Sequence, residues 1–235
     1  MKQTTIILSA VAFLAIGCGQ TVSKQVETVE TANVEIVTEQ NSEEIENQTI
    51  DVITTIKFSD FTLTINRLSV WNEKEYLDKF HKDTVYLDIE LGETIEGQLL
   101  SIITSELTDI KVEQCYETSI TIMNEGPHCD LTDWRHYYSE WKQLKRNKDG
   151  QFVCEKYKYK IDTEKFPTID IEDLKEVVLA KCGERWFELV KNINAPTEYP
   201  SGVGISRYFL RITGLRKQDG KLIEKLIILE NPMGC

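Results

Sequence analysis

An α+β fold is the class this chain predicts, on three observations: period-two apolar alternation in its first half, three- and four-residue apolar spacing after Asp130 and Asp170, and a hairpin signal near the end. In the first half, Phe61, Leu63 and Ile65 alternate with Thr62 and Thr64. Further on, Val85, Leu87, Ile89 and Leu91 alternate with Tyr86, Asp88 and Glu90. Alternation of this kind turns one face of a strand to a core and the other to water. Leu99 to Thr104 supplies a third strand, and Ile110 through Val112, Tyr116, Ile120 and Ile122 a fourth, long enough to bend around a core. Together they predict an antiparallel meander. Between the first two strands, Asn72 and Glu75 have capping-box spacing ahead of Tyr76, Leu77 and Phe80, which predicts a short helix.

The period then changes. Asp130 is placed to cap a helix carrying Leu131, Trp134, Tyr138 and Trp141 on one face, and Asp149-Gly150 ends it. A further helix follows Asp170 with Leu174, Val177 and Val178 inward, and continues or restarts through Trp186 and Val190 before Pro196. Gly202-Val203-Gly204 reads as a flexible connection. Finally Arg207 to Leu215 and Lys221 to Glu230 flank Gln218-Asp219-Gly220, where glycine supplies the positive φ of a tight hairpin. The expectation is one α+β domain over 51–235: an antiparallel meander, two or three helices and a C-terminal hairpin.

The amino-terminal residues carry a different kind of signal. Lys2, an apolar run from Ile6 to Ile16 and then Ala15-Ile16-Gly17-Cys18 follow in order. The run is about half of the roughly 20 residues a membrane-spanning helix needs. The segment Met1–Gly19, and that segment alone, resembles a bacterial lipoprotein signal peptide, although Ala15 stands where that family more often has leucine. The resemblance implies that 1–17 is removed and that Cys18 takes a diacylglyceryl group on its thiol and usually an acyl chain, such as palmitate, on its new amino group. Two or three chains anchor firmly where one does not. Gly19-Gln20-Thr21 lacks the aspartate that resembles an inner-membrane retention signal, which implies an outer-membrane location facing the periplasm.

Residues 18–50 read as an acidic flexible tether. Of the chain's net charge of −12, residues 19–50 contribute −6, from seven glutamates against Lys24, and they hold neither proline nor an aromatic ring. The acidic balance argues against nucleic acid as a partner, since that requires a basic stripe to meet phosphates. It suits a cationic partner instead.

Besides Cys18 the chain has Cys115, Cys129, Cys154, Cys182 and Cys235, an odd number of candidate disulfide cysteines for an oxidising compartment. The expected pairs are Cys182 with Cys235 and one bridge among Cys115, Cys129 and Cys154. Cys129 has a second reading as a reactive thiol, because it precedes the expected Trp134 helix and adjoins His128. His128, Asp130, Asp133 and His136 form a candidate ligand or metal cluster, with the eight-residue histidine spacing against it. His136 falls on the solvated side of the expected helix. Trp134, Tyr137, Tyr138 and Trp141 concentrate aromatic surface suited to a sugar or peptide, with Tyr137 at the border of the inward stripe. No phosphate-binding loop, nucleophile elbow or zinc-protease motif occurs, so no catalytic residue or cofactor is nominated. The reading that follows is a non-enzymatic envelope lipoprotein that binds an envelope protein or a peptidoglycan-associated partner. The alternative is a metal- or thiol-dependent enzyme centred on His128, Cys129 and Asp130.

Overall fold

A computed structural model describes residues 35–40, 52–71, 83–157 and 164–234. The signal segment with Cys18, most of the expected tether, the expected helix at 72–80 and Cys235 lie outside the described residues. What is described corrects the α+β expectation: the described residues are mostly β, 45% strand against 12% helical, in two many-stranded sheets with two helices among them. The first sheet runs in the order β1 (Glu35–Gln40), β2 (Val52–Lys57), β3 (Thr62–Asn66), β6 (Leu99–Ile103), β12 (Phe152–Val153) and β11 (Lys145–Arg146). The second runs β10 (Lys142–Gln143), β7 (Leu107–Ile122), β13 (Ser201–Arg216), β14 (Leu222–Glu230), β5 (Thr84–Ile89) and β4 (Val70–Trp71). Two further short strands, β8 (Cys129–Asp130) and β9 (Tyr137–Tyr138), pair with β7.

The inward residues of both sheets share one core. Ile56, Leu63, Ile65 and Leu100 from the first sheet cluster with Val85, Leu87, Val112, Leu210, Ile227 and Leu229 from the second. Burying each such side chain contributes about 1.5–3 kcal/mol, which is why the period-two pattern fixes the faces so firmly. The meander expectation fails at β14, which pairs antiparallel with β13 around Gly220 (φ 69°) but parallel with β5 on its other side. Gly202-Val203-Gly204 is not a loop. It lies in β13, paired with Ile120 and its neighbours in β7. Strand β1 lies inside the stretch read as a tether and pairs residue for residue with β2. Its Ile36-Val37-Thr38 triplet is β-branched throughout, a local preference for extended backbone among the glutamates.

The Trp134 helix is also overturned. From Cys129 to Gln143 the chain runs along the open edge of β7, with β8, β9 and β10 bridging to it and the Leu131, Ser139 and Leu144 amides donating to the Ile120, Tyr116 and Val112 carbonyls. A sixteen-residue strand leaves a long row of backbone groups that need partners, and satisfying them outweighs a weak helical spacing. Asp130 does not cap a helix; its Oδ1 accepts from Thr121 Oγ1 at 2.5 Å. The supposed inward stripe is partly outward, with Tyr138 53% and Trp141 37% exposed.

The two helices among the described residues are α1 (Ile171–Cys182) and α2 (Glu184–Val190). Asp170 caps α1 by accepting from the Glu172 amide at 2.8 Å, and Gly183, at φ 90°, ends it. Leu174 and Val178, one turn apart, reach a second core with Ile120, Ile122, Leu131, Val190 and Val203. Cys182 at the end of α1 is bonded to Cys129 of β8, with Cα atoms 6.2 Å apart. That replaces the expected Cys182–Cys235 pair.

Cys115 and Cys154 are free and buried, so the second expected bridge does not form from them. Burial raises the Cys115 thiol pKa from 9.0 to about 12, with Arg211 lowering it and Glu117 raising it by lesser amounts. Burial also pushes the Cys154 thiol and the Tyr208 and Tyr157 hydroxyls well up. Both thiols should therefore resist alkylation by iodoacetamide at pH 8 in the native protein and react once it is unfolded in urea. Because these folded-state values exceed the unfolded ones, the native state holds the extra protons. Stability is thus full below about pH 9 and falls as pH rises towards 12, which urea melts across that interval would detect. Rapid native labelling, or a flat alkaline profile, would contradict this burial.

Candidate functional site

The most unusual side chain in the second sheet is Glu117, in the middle of β7 and 0% exposed. A buried carboxylate is stable only with compensating partners. Ser206 Oγ donates to Glu117 Oε1 at 2.8 Å, Ser119 Oγ lies 3.4 Å from the same oxygen, and the two serine hydroxyls are 2.8 Å apart. Arg207 Nη1 approaches at 3.5 Å and His136 Nδ1 at 3.8 Å. Glu117 Oε2 and His136 Nδ1 have no hydrogen-bond partner among the described residues.

The backbone explains how two neighbours in β13 serve one site. The β13–β7 register slips between Ile205 and Arg207, and such a bulge re-aims the side chains beside it. Ser206 turns onto Glu117, while Arg207, 23% exposed at its side chain, reaches outward. The chain leaving β14 holds the bulge in place: the Asn231 amide donates to the Ser206 carbonyl and Asn231 Nδ2 to that of Ile205, at 2.8 and 2.9 Å. Outside Glu117, Arg207 Nη2 lies 3.3 Å from Glu230 and 3.8 Å from Asp133. Burial works against the guanidinium charge, but Glu117, Glu230 and Asp133 outweigh it and hold the Arg207 pKa above its ordinary value.

Arg207 and Ser206 form part of the wall of an open cleft of about 370 Å³, with Asp88, Asp130 and Glu230 around it and Leu91 and Pro232 as apolar surface. Its size is in the range of small-ligand sites. Tyr138 faces Glu117, and burial, followed by its hydrogen bond to that carboxylate, raises its hydroxyl pKa to about 12. The Tyr138 ring lies 6.0 Å from Phe209, and the Arg211 guanidinium sits 4.4 Å from the centre of the Trp141 ring.

The residues singled out in the sequence are scattered differently from expectation. Asp133 and His136 converge on the Glu117–Arg207 network, and Asp130 lines the cleft. His136 is half-buried rather than solvated. His128 points elsewhere, its Nδ1 donating to the Met233 carbonyl at 3.1 Å. The Cys129 sulfur is taken up in the disulfide with Cys182, so it is not a nucleophile in this state. Among the described residues no group of three or more His, Cys, Asp or Glu side chains is placed to hold a metal ion. The two serines hydrogen-bond a carboxylate and each other; an activated serine nucleophile would face a base such as an imidazole. Sequence reasoning missed Glu117, Ser119, Ser206, Arg207 and Glu230. The available signal was a charged residue inside an otherwise apolar and hydroxyl-rich strand, Tyr116-Glu117-Thr118-Ser119-Ile120.

No family model, curated protein or solved structure matches this chain.

Proposed function

We propose that this protein is an envelope lipoprotein, anchored through Cys18 at the outer membrane and facing the periplasm, whose β-rich domain is a non-enzymatic binding module for an envelope component. The cleft above Arg207 is its binding site. One observation carries that choice: Arg207 is fixed in the cleft wall by three carboxylates, one of them fully buried, so the polar floor is organised before any ligand arrives. Pre-organisation of this kind lowers the ordering cost of binding. The lipid anchor is supported by the Lys2, Ile6–Ile16 and Cys18 pattern.

Two experiments test the two parts. Metabolic labelling with an alkyne palmitate analogue should mark the wild type and fail in Cys18→Ser; equal labelling of both would remove the anchor. For the cleft, benzoylphenylalanine at Leu91, exposed on its rim, should give a discrete adduct in cells by intact mass. The same group at Ile103, exposed on the other sheet, should not. Equal adducts at both positions, or none at Leu91, would contradict the assignment.

A further inference from the structure

The chain's overall charge of −12 conceals a basic strap on its surface. From Trp141 to Gly150 the sequence holds Lys142, Lys145, Arg146 and Lys148 against a single carboxylate, Asp149. The fold fixes this stretch in place. Strand β10 pairs with β7 at one end of the second sheet and β11 with β12 at one end of the first, so the strap passes from one sheet to the other. Leu144 between them is buried, and its amide donates to the Val112 carbonyl at 2.8 Å. Beyond Arg146 a tight turn returns the chain: Asn147 Oδ1 accepts from the Asp149 and Gln151 amides, and Gly150 takes φ 83°. With Leu144 turned in, all four cations are exposed. The Arg146 guanidinium lies 4.3 Å from the centre of the Phe152 ring and Lys142 Nζ 5.5 Å from that of Tyr157, contacts that order the stems without neutralising the charge. Among the described residues none of the four joins an ion pair, whereas Arg207, Arg211, Arg216 and Lys225 all do.

Uncompensated charge of one sign, held in a fixed geometry, suits a surface of the opposite sign. Two neighbours decide which surface. Trp141, 37% exposed, immediately precedes Lys142, and Tyr138, 53% exposed, lies farther along the same edge of β7. Such rings beside lysine and arginine have the composition that settles at the boundary between lipid and water, whereas an acidic polypeptide needs only the charges. We propose that the strap docks on an anionic lipid surface, with its cations among the headgroup phosphates and Trp141 at headgroup depth. Attraction of this kind acts within a Debye length, about 8 Å at physiological salt, so the strap feels the surface while acidic faces turned away from it are screened. Docking sets which edge of the domain faces the membrane. It rests on neither the lipid anchor nor the cleft: an anchor limits the distance, and the strap fixes the orientation.

Lysine footprinting of the full-length protein on vesicles tests it. The protein is reconstituted into vesicles of phosphatidylcholine alone or with about 40% phosphatidylglycerol, and acetylation by an N-hydroxysuccinimide ester is read by mass spectrometry. Lys142, Lys145 and Lys148 should be acetylated at least fivefold more slowly on the anionic vesicles, while Lys181 and Lys221, exposed elsewhere, change less than twofold. The protection should vanish in about 500 mM salt, a result that needs no variant. It should also vanish in Lys145→Glu with Lys148→Glu, read at the remaining Lys142. Equal acetylation on the two kinds of vesicle, or protection that survives both the salt and the charge reversal, would overturn the proposal. So would protection by soluble polyglutamate and not by anionic vesicles, which would assign the strap to an acidic polypeptide. Loss of the protein from neutral vesicles would count against the lipid anchor, a separate claim, while labelling on the anionic vesicles still decides the strap.

Discussion

Replacing Arg207 by methionine should lower the free energy of unfolding by about 3–5 kcal/mol, the cost of leaving a buried charge without its partner. The methionine retains much of the arginine's apolar stem, so the loss reports mainly on charge. Glu117 is 0% exposed, and Arg207 is the only permanently charged group within 4.0 Å of it among the described residues. His136, at 3.8 Å, carries charge only when protonated, and the two serines supply neutral hydrogen bonds. Removing one of those serines, as in Ser206→Ala, should cost less, about 1–3 kcal/mol, because the carboxylate keeps its cation. Urea unfolding of the three proteins at pH 7 checks the order. A loss below about 1 kcal/mol for Arg207→Met would mean that Arg207 does not compensate Glu117 and that the pair does not organise the cleft.

Joint replacement of Cys129 and Cys182 by alanine should be of similar size. The bond spans 53 residues of sequence, and loop-closure entropy for that length amounts to about 4 kcal/mol. In a domain of this size such a loss lowers the melting temperature by about 10 °C. The effect has a location as well. The disulfide joins the end of α1 to β8, and the residue after Cys129 is Asp130 in the cleft wall. Hydrogen exchange should therefore accelerate in α1, α2 and β8 before it changes in β3 or β6, which lie in the other sheet. Uniform acceleration across both sheets, or an unchanged melting temperature, would contradict a local clamp.

How much of this was legible in the sequence depends on how local its cause is. Period-two alternation located β3 and β5, because the side chains alone decide which face of a strand is buried, and apolar stretches located β6 and β7. Asp170 located the start of α1, and Asp219-Gly220 located the β13–β14 turn, since a cap and a positive φ are properties of one or two residues. The segment from Asp130 to Trp141 misled for the opposite reason. Its apolar spacing is helical, but its conformation is set by the unpaired edge of β7, which is absent from any window of the sequence. The parallel pairing of β14 with β5 is likewise a property of the whole fold, as is the choice of Cys129 as the partner of Cys182.

The candidate site divides in the same way. Asp130, Asp133 and His136 drew attention as a local concentration of polar groups, yet their actual partners come from β7 and β13. Glu117 and Arg207 are 90 residues apart and meet only because β7 and β13 are neighbours and β13 carries a bulge at Ser206. Nothing in the apolar pattern announces that bulge. It is visible only as a register slip once the two strands are paired.

The coupling between Glu117 and Arg207 is the quantity to measure first, by a double-mutant cycle of Glu117→Gln, Arg207→Met and both together in urea unfolding at pH 7. An organised buried pair should show an interaction of about 2 kcal/mol, the double variant being less destabilised than the sum of the singles. Losses that add within about 0.5 kcal/mol would show that the two side chains act independently and that the cleft has no pre-organised charged floor.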